Sequence, residues 1–154
     1  MKKLLTTLVL AIIAMTFSGL EADGQKMIPA GVSATVTNAY LEHNRMEQGQ
    51  KVMFVRYGAR IFGLRGGQVK CVVSLYKKNG KPLTDLSGKA LSNTLYLNPA
   101  YDDTVYNNNW AWFAYSHMKV TAARTDCYAL IKIYNARTGK LIGKSQKLDF
   151  WVNK

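Results

Sequence analysis

From Lys51 onward the side chains change sides at nearly every residue, and a period of two argues for strands rather than helices. Between Lys51 and Phe62, Met53, Val55, Tyr57, Ala59 and Ile61 share one face, while Arg56, Gly58 and Arg60 take the other. A helix would scatter those arginines among the apolar positions. Gln68 to Lys77 repeats the scheme, with Val69, Cys71, Val73 and Leu75 opposite Lys70, Val72, Ser74 and Tyr76. So does Asp126 to Tyr134, where Cys127, Ala129, Ile131 and Ile133 oppose Tyr128, Leu130, Lys132 and Tyr134. Leu141 to Val152 reads as the last strand, with Leu148, Phe150 and Val152 on one face.

Turn chemistry separates these runs. Asn79–Gly80 is a hairpin signal in which both central residues are expected at positive φ. Pro82 follows, where a missing N–H is tolerated at an edge. Asn135 to Lys140, with Thr138–Gly139, predicts a second hairpin of like geometry. Ser33 to His43 is expected as the first strand, with imperfect alternation around Asn38 that suggests a bulge. Leu91 to Leu97 and Trp110 to Tyr115 are expected as short strands, with Asn98 to Asn109 a polar loop between them. Ser116 to Thr125 is expected as a loop holding a short strand or turn. The prediction is an all-β fold, an antiparallel immunoglobulin-like β-sandwich of about seven or eight strands.

The first residues read differently. Met1–Lys2–Lys3 is cationic, Leu4 to Met15 is apolar apart from two threonines, and Thr16 to Ala22 is small and more polar. That order is a signal peptide, assigned to residues 1–22, with cleavage after Ser18 or Ala22. The apolar run is shorter than the roughly 20 residues a membrane span requires. Residues 23–32 read as a flexible leader and 33–154 as the domain. Cleavage leaves one domain of a size that buries about two-thirds of its unfolded surface. A secreted or periplasmic location follows, surface association included.

Export bears on the two cysteines, Cys71 and Cys127. An oxidising compartment and an even count favour pairing. A Cys71–Cys127 disulfide would contribute about 4 kcal/mol in the chain-entropy picture. Both residues lie near the starts of their strands, however, and two starts sit at opposite ends of an antiparallel ladder. The bond therefore requires strands facing one another across the sandwich, or a particular offset. Two buried thiols are the alternative.

The chain carries 21 Lys and Arg against 9 Asp and Glu, a net charge of +12. Such an excess favours anionic partners: polysaccharide, lipid headgroups, nucleic acid or an acidic protein. The basic residues form no block, so solvation of strand faces and hairpin tips is the simpler account. Tyr76, Tyr128 and Tyr134 share outward faces with Lys70 and Lys132, an interleaving that suits single-stranded nucleic acid. Cross-strand tyrosine pairing explains it equally, and an exported protein rarely meets that partner. An anionic polysaccharide or a protein is therefore the expected partner, and nucleic acid is not.

Six aromatics crowd a stretch of the chain: Tyr101, Tyr106, Trp110, Trp112, Phe113 and Tyr115. Trp110 and Trp112 share one face of a strand and Phe113 and Tyr115 the other. One set fills the core. The other is exposed or packed under a loop, where aromatics beside Asn and Asp stack on sugar rings or grip a protein. Tyr101, Tyr106, Trp110 and Trp112 are the candidate ligand-binding residues. In the competing account Trp110 and Trp112 fill the sandwich while Tyr101 and Tyr106 pin the loop.

Three stretches resemble a known domain. Glu42–His43–Asn44 precedes Gly49–Gln50–Lys51–Val52–Met53. Gly66–Gly67–Gln68–Val69 leads through Leu75–Tyr76 to Asn79–Gly80–Lys81–Pro82–Leu83. Pro99–Ala100–Tyr101 leads through Tyr115 to Gly139–Lys140. Together they resemble a family of small exported β-sandwich domains of Gram-negative anaerobic bacteria. The resemblance covers most of residues 33–152 and rests on turn and strand motifs. It implies a β-sandwich, carries no functional residue across, and does not include Cys71 or Cys127.

Catalytic chemistry finds little footing. A Cys–His site needs a reactive thiol, and both cysteines alternate with Val, Ile, Ala and Leu, where a thiol is inert. Of the carboxylates only Asp102 and Asp103 are adjacent, and on a strand they would face opposite ways. There is no CxxC, HxxxH or calcium loop. Asp102, Asp103, Asn107, Asn108 and Asn109 offer oxygens to calcium, but such loops more often make Asx turns. No metal and no cofactor is implied. The expected function is an exported, non-catalytic binding or structural module that uses loop aromatics and a basic surface. A small secreted hydrolase would instead bring His43 or His117 against Ser, Cys or Asp in a cleft. A regulator docking by sheet-edge addition would present a long unpaired strand, first or last.

Overall fold

A computed structural model describes residues 31–154. The signal peptide and nearly all of the leader lie outside that range. Eight strands follow in order: β1 (Ser33–Glu47), β2 (Gln50–Phe62), β3 (Val69–Lys77), β4 (Ser92–Leu97), β5 (Asp103–Ala114), β6 (Arg124–Asn135), β7 (Leu141–Lys144) and β8 (Leu148–Asn153). A single 3₁₀ turn, Tyr115–His117, follows β5.

The strands form two antiparallel sheets. One has three strands in the order β1-β2-β5, and the other runs β4-β3-β6-β7 with β8 also on β6. β7 pairs with the C-terminal part of β6 and β8 with its N-terminal part, so the two are halves of one interrupted strand. Three-against-four layering, with the chain crossing between sheets after β2, β4 and β5, is an immunoglobulin-like sandwich. The core lies between the layers. Met53, Val55, Tyr57, Ala59 and Ile61 of β2 meet Cys71, Val73 and Leu75 of β3 and Ala129, Ile131 and Ile133 of β6. These are the positions the alternation selects.

The two ends of the sandwich differ. Ser33, Phe62 and Asp103 lie together at one pole. Glu47, Gln50 and Ala114 mark the other, where β8 also ends.

Several expectations require correction. The polar stretch before Trp110 is largely strand, because β5 begins at Asp103 and pairs with β2 along its whole length. The last strand is broken between Lys144 and Leu148. At the break the Ser145 hydroxyl accepts the Ile131 N–H at 3.0 Å, and the Ser145 N–H donates to the Ile131 carbonyl at 2.8 Å. The two hairpins are not alike. At Asn79–Gly80 only Gly80 has positive φ (84°), and the Gly80 N–H closes a turn onto Lys77 O at 2.9 Å. That is a type I turn ending in a left-handed glycine, not the doubly positive turn that was expected. The second loop is longer, with Gly139 bonding back to Asn135 at 2.9 Å. Between Ser116 and Thr125 the chain makes the end of the 3₁₀ turn and a bridge from Met118 to Asp85, and Met118 plugs the core.

The disulfide is not formed. Cys71 and Cys127 are both buried free thiols. β3 and β6 are immediate neighbours, with Cys71 opposite Ile133 and Cys127 opposite Lys77. Six residues of ladder separate the two, about 20 Å, where a bond needs Cα atoms within about 7 Å. Burial pushes each thiol up to about 11.

Candidate functional site

The outward face of the three-stranded sheet is where two of the four candidate aromatics meet. Two bulges put them there. In β1 the register with β2 shifts between Thr37 and Tyr40, and Asn38 takes φ 48°. Asparagine tolerates that left-handed conformation better than most residues. The extra residue reverses the parity of the strand, so Tyr40 and Glu42 turn outward and Leu41 packs on the core. In β5 the register shifts between the partners of Tyr57 and Ala59, taking in Asn107 and Asn108. Before this bulge even-numbered residues point inward, so Tyr106 packs against the core. After it they point outward, which brings Trp110 and Trp112 to the surface. A bulge re-aims the side chains that follow it.

Tyr40 and Trp110 are both register partners of Arg56, one on each side. The row Tyr40–Arg56–Trp110 thus crosses all three strands. Beside it runs Glu42–Phe54–Trp112. Tyr40 is 50% exposed and Trp110 49%. Beneath them Phe54, Val52 and Ala114 are buried with Trp112 packed on them, a second small apolar layer on the outside of the sheet. Phe54 meets Trp110 edge-on, with centroids 5.7 Å apart at 65°. The Arg56 guanidinium lies 5.1 Å from the Phe54 ring centre, and its Nε donates to Glu42 Oε2 at 3.0 Å. Further along the face, Arg60 donates to both Asp103 oxygens and holds that carboxyl below its usual range. Arg56 and Arg60 thus each have a carboxylate partner, whereas Arg45, opposite Val52 towards the other pole, is exposed.

The other two candidates are elsewhere. Tyr106 is an inward residue, and burial raises its phenol. Tyr101 is 68% exposed but sits at the opposite pole, in a turn closed by Thr104. Neither belongs to the platform. The residues that sequence reasoning missed are Tyr40, Glu42, Phe54 and Arg56. One signal existed: Val52–Met53–Phe54–Val55 is apolar on both faces of its strand, which calls for cover on both sides.

A hollow of about 530 Å³ lies at the pole where β8 ends, lined by His43, Lys51, Tyr115, Trp151 and Asn153 among others. His43 Nδ1 is 2.8 Å from the Tyr115 hydroxyl, so its partner is a phenol rather than Ser, Cys or Asp. His117 shares a shallower hollow with Asp85 and Ser87. There Asp85 Oδ1 accepts the Ser87 hydroxyl at 2.6 Å and the N–H groups of Ser87 and Lys89, bonds that hold its carboxyl below the usual range. Those bonds make Asp85 the keystone of its turn. Among the described residues no three His, Cys, Asp or Glu side chains gather as a metal site. No helix among them is long and apolar enough to cross a membrane.

No family model matches the chain, and no curated protein does. Among solved structures it is similar to a bacterial adhesin from Mobiluncus mulieris that contains intramolecular disulfide, isopeptide and ester cross-links. The identity is 9% and the TM-score 0.45, over 79% of this chain and 57% of that one. It is also similar to Bacteroides uniformis β-glucuronidase 2, at 10% identity and TM-score 0.47, over 79% of this chain and 14% of that one. The chain thus spans little more than half of the adhesin and a small part of the glucuronidase. The fold assignment rests on strand order and register.

Proposed function

We propose that this chain is an exported, non-catalytic binding module that holds an uncharged stretch of glycan on the outward face of β1, β2 and β5. The row Tyr40–Arg56–Trp110 carries this reading. Two half-exposed aromatic rings flank a guanidinium–carboxylate pair on a rigid, packed support. Sugar rings stack on such faces, and their hydroxyls bond to a paired Arg and Glu without desolvating a lone charge. The internal pairing of Arg56 with Glu42 and of Arg60 with Asp103 favours a neutral ligand over an anionic one around the Tyr40–Arg56–Trp110 row. Export is supported by the order of charge, apolar run and small residues at the start of the sequence.

Two alternatives have less support. Edge addition needs a long, regular free strand, but β1 is bulged twice and the last strand is broken, devices that blunt an edge. A hydrolase needs a base beside a nucleophile, and His43 is bonded to a phenol.

A glycan array followed by titration of tryptophan fluorescence tests the proposal. Trp110→Ala is expected to weaken binding by about tenfold or more while leaving the thermal midpoint nearly unchanged, since half the ring is in solvent. Undiminished binding by Trp110→Ala, or binding lost equally in Tyr101→Ala at the far pole, would refute it.

A further inference from the structure

We infer that the outward face of the other sheet is a second binding surface, for an anionic polysaccharide. Lys70 stands between Tyr96 and Tyr134 in one cross-strand row. In the next row outward Lys132 is opposite Lys144. Further along, Tyr76 and Tyr128 are paired, with Lys147 over the Tyr128 ring at 4.5 Å. Four lysines therefore mark a track about 20 Å long on one flat face. Asp149, opposite Tyr128, is the carboxylate that shares the middle of this face. Asp126, nearer the pole, is taken by Arg124 at 3.0 Å.

The three ion pairs among the described residues all use arginine, and none of the four track lysines takes part in one. Like charges directly opposite on a ladder are destabilising. Folding gains nothing from Lys132 against Lys144, so a partner that neutralises them gives the arrangement its use.

Ring geometry selects which polyanion. Tyr76 and Tyr128 are stacked on each other, with centroids 5.2 Å apart at 16°. That spacing leaves no room for an ammonium between them, so Lys147 closes the outer face of Tyr128, while Lys132 sits at the hydroxyl edge of Tyr76, 5.7 Å from its centre. Tyr128 is accordingly 9% exposed. Single-stranded nucleic acid gains its affinity by stacking bases on a run of free aromatic faces, and here the stack takes up Tyr128, leaving Tyr96, 52% exposed, as the one well-exposed ring beside a track lysine. What the track offers is ammonium groups and phenol edges, with Lys132 Nζ 3.5 Å from the Tyr76 hydroxyl. Sulfate or carboxylate groups repeating along a sugar chain fit that set.

The test compares the native protein with the variant Lys70→Gln/Lys132→Gln/Lys144→Gln/Lys147→Gln, and with Arg65→Gln/Lys89→Gln/Lys119→Gln/Lys154→Gln, which loses equal charge elsewhere. Affinity is measured for heparin, polygalacturonate, neutral dextran and a single-stranded oligonucleotide at two salt concentrations. Native protein is expected to bind heparin or polygalacturonate, more weakly at high salt, and dextran not at all through this face. The heparin and polygalacturonate arms separate sulfate from carboxylate as the recognised group. The track variant should lose about tenfold or more, and the control should stay within about twofold. Equal loss in both variants, full retention by the track variant, or tighter binding of the oligonucleotide would each overturn the inference. If the quadruple variant does not fold, Lys144→Gln/Lys147→Gln, which alters two exposed side chains, gives the same reading at a smaller loss. Trp110→Ala should leave heparin binding intact, so failure of the platform and failure of the track are separable.

Discussion

The hydroxyl of Tyr57 is buried in the core, with the Cys71 thiol, a weak partner at best, as its polar neighbour. Burial, with the Cys71 thiol alongside, raises its ionisation above the ordinary phenol range. An unsatisfied buried donor costs about 1–3 kcal/mol, whereas an isosteric apolar replacement avoids that cost. Tyr57→Phe is therefore expected to leave stability unchanged or raise it by about 1 kcal/mol, as read from denaturant melts. A loss of that size would mean that the hydroxyl has a partner in solution. Nothing in the sequence flags this, because Tyr57 fits its alternating row perfectly well as an apolar body. The orphan arises from which strand packs opposite, and periodicity carries no record of that.

At the level of strands, parity was legible and its interruptions only half so. The inward rows of β2, β3 and β6 follow directly from alternation. The bulge in β1 left a visible mark at Asn38. The bulge in β5 did not, because Asn107 and Asn108 look like loop residues and the strand was expected to begin only at Trp110. Extending parity across that bulge places Tyr106 with Trp110 and Trp112, whereas the fold separates them. Tyr101 failed for a simpler reason: nearness in sequence along an extended strand means distance in space. The interrupted last strand supplies its own test. A side chain at Gly143 would press into the Ala34 carbonyl oxygen of β1. Backbone cannot yield as a flexible side chain does. Gly143→Ala should cost about 1–3 kcal/mol, measured by thermal or denaturant unfolding, whereas Gln146→Ala, an exposed side chain in the adjoining loop, should cost less. Equal costs would show that β1 and β7 do not approach as described.

For the molecule as a whole, the net charge of +12 was legible and its division between faces was not. Separating the Arg56–Glu42 and Arg60–Asp103 pairs of one face from the unpaired lysines of the other requires knowing which strands are neighbours. The same knowledge decides the cysteines, whose even count and exported setting argued for a bond that the β3–β6 register forbids. Their state has a measurable consequence. Both thiols ionise near pH 11 when folded but at the ordinary, lower pH when unfolded. Rising pH therefore draws protons from the unfolded chain first. The stability tied to these thiols is complete below their unfolded pKa of about 8.5, and it drains away as pH climbs towards 11. Tyr57 acts in the same direction. Denaturant midpoints should fall between pH 8 and pH 10.5, less steeply in Cys71→Val/Cys127→Val, and a reductant should leave the neutral-pH midpoint unmoved. A midpoint lowered by reductant would restore the disulfide.

The strand that opens the fold runs nearly from pole to pole. From Ser33 to the Tyr40 row is roughly 20 Å of extended chain, and the row lies halfway along the sandwich. Any anchor acting through the residues before Ser33 grips the sandwich by its near tip. The paired aromatic rings are then carried outboard on a stiff arm, clear of whatever the protein is moored to.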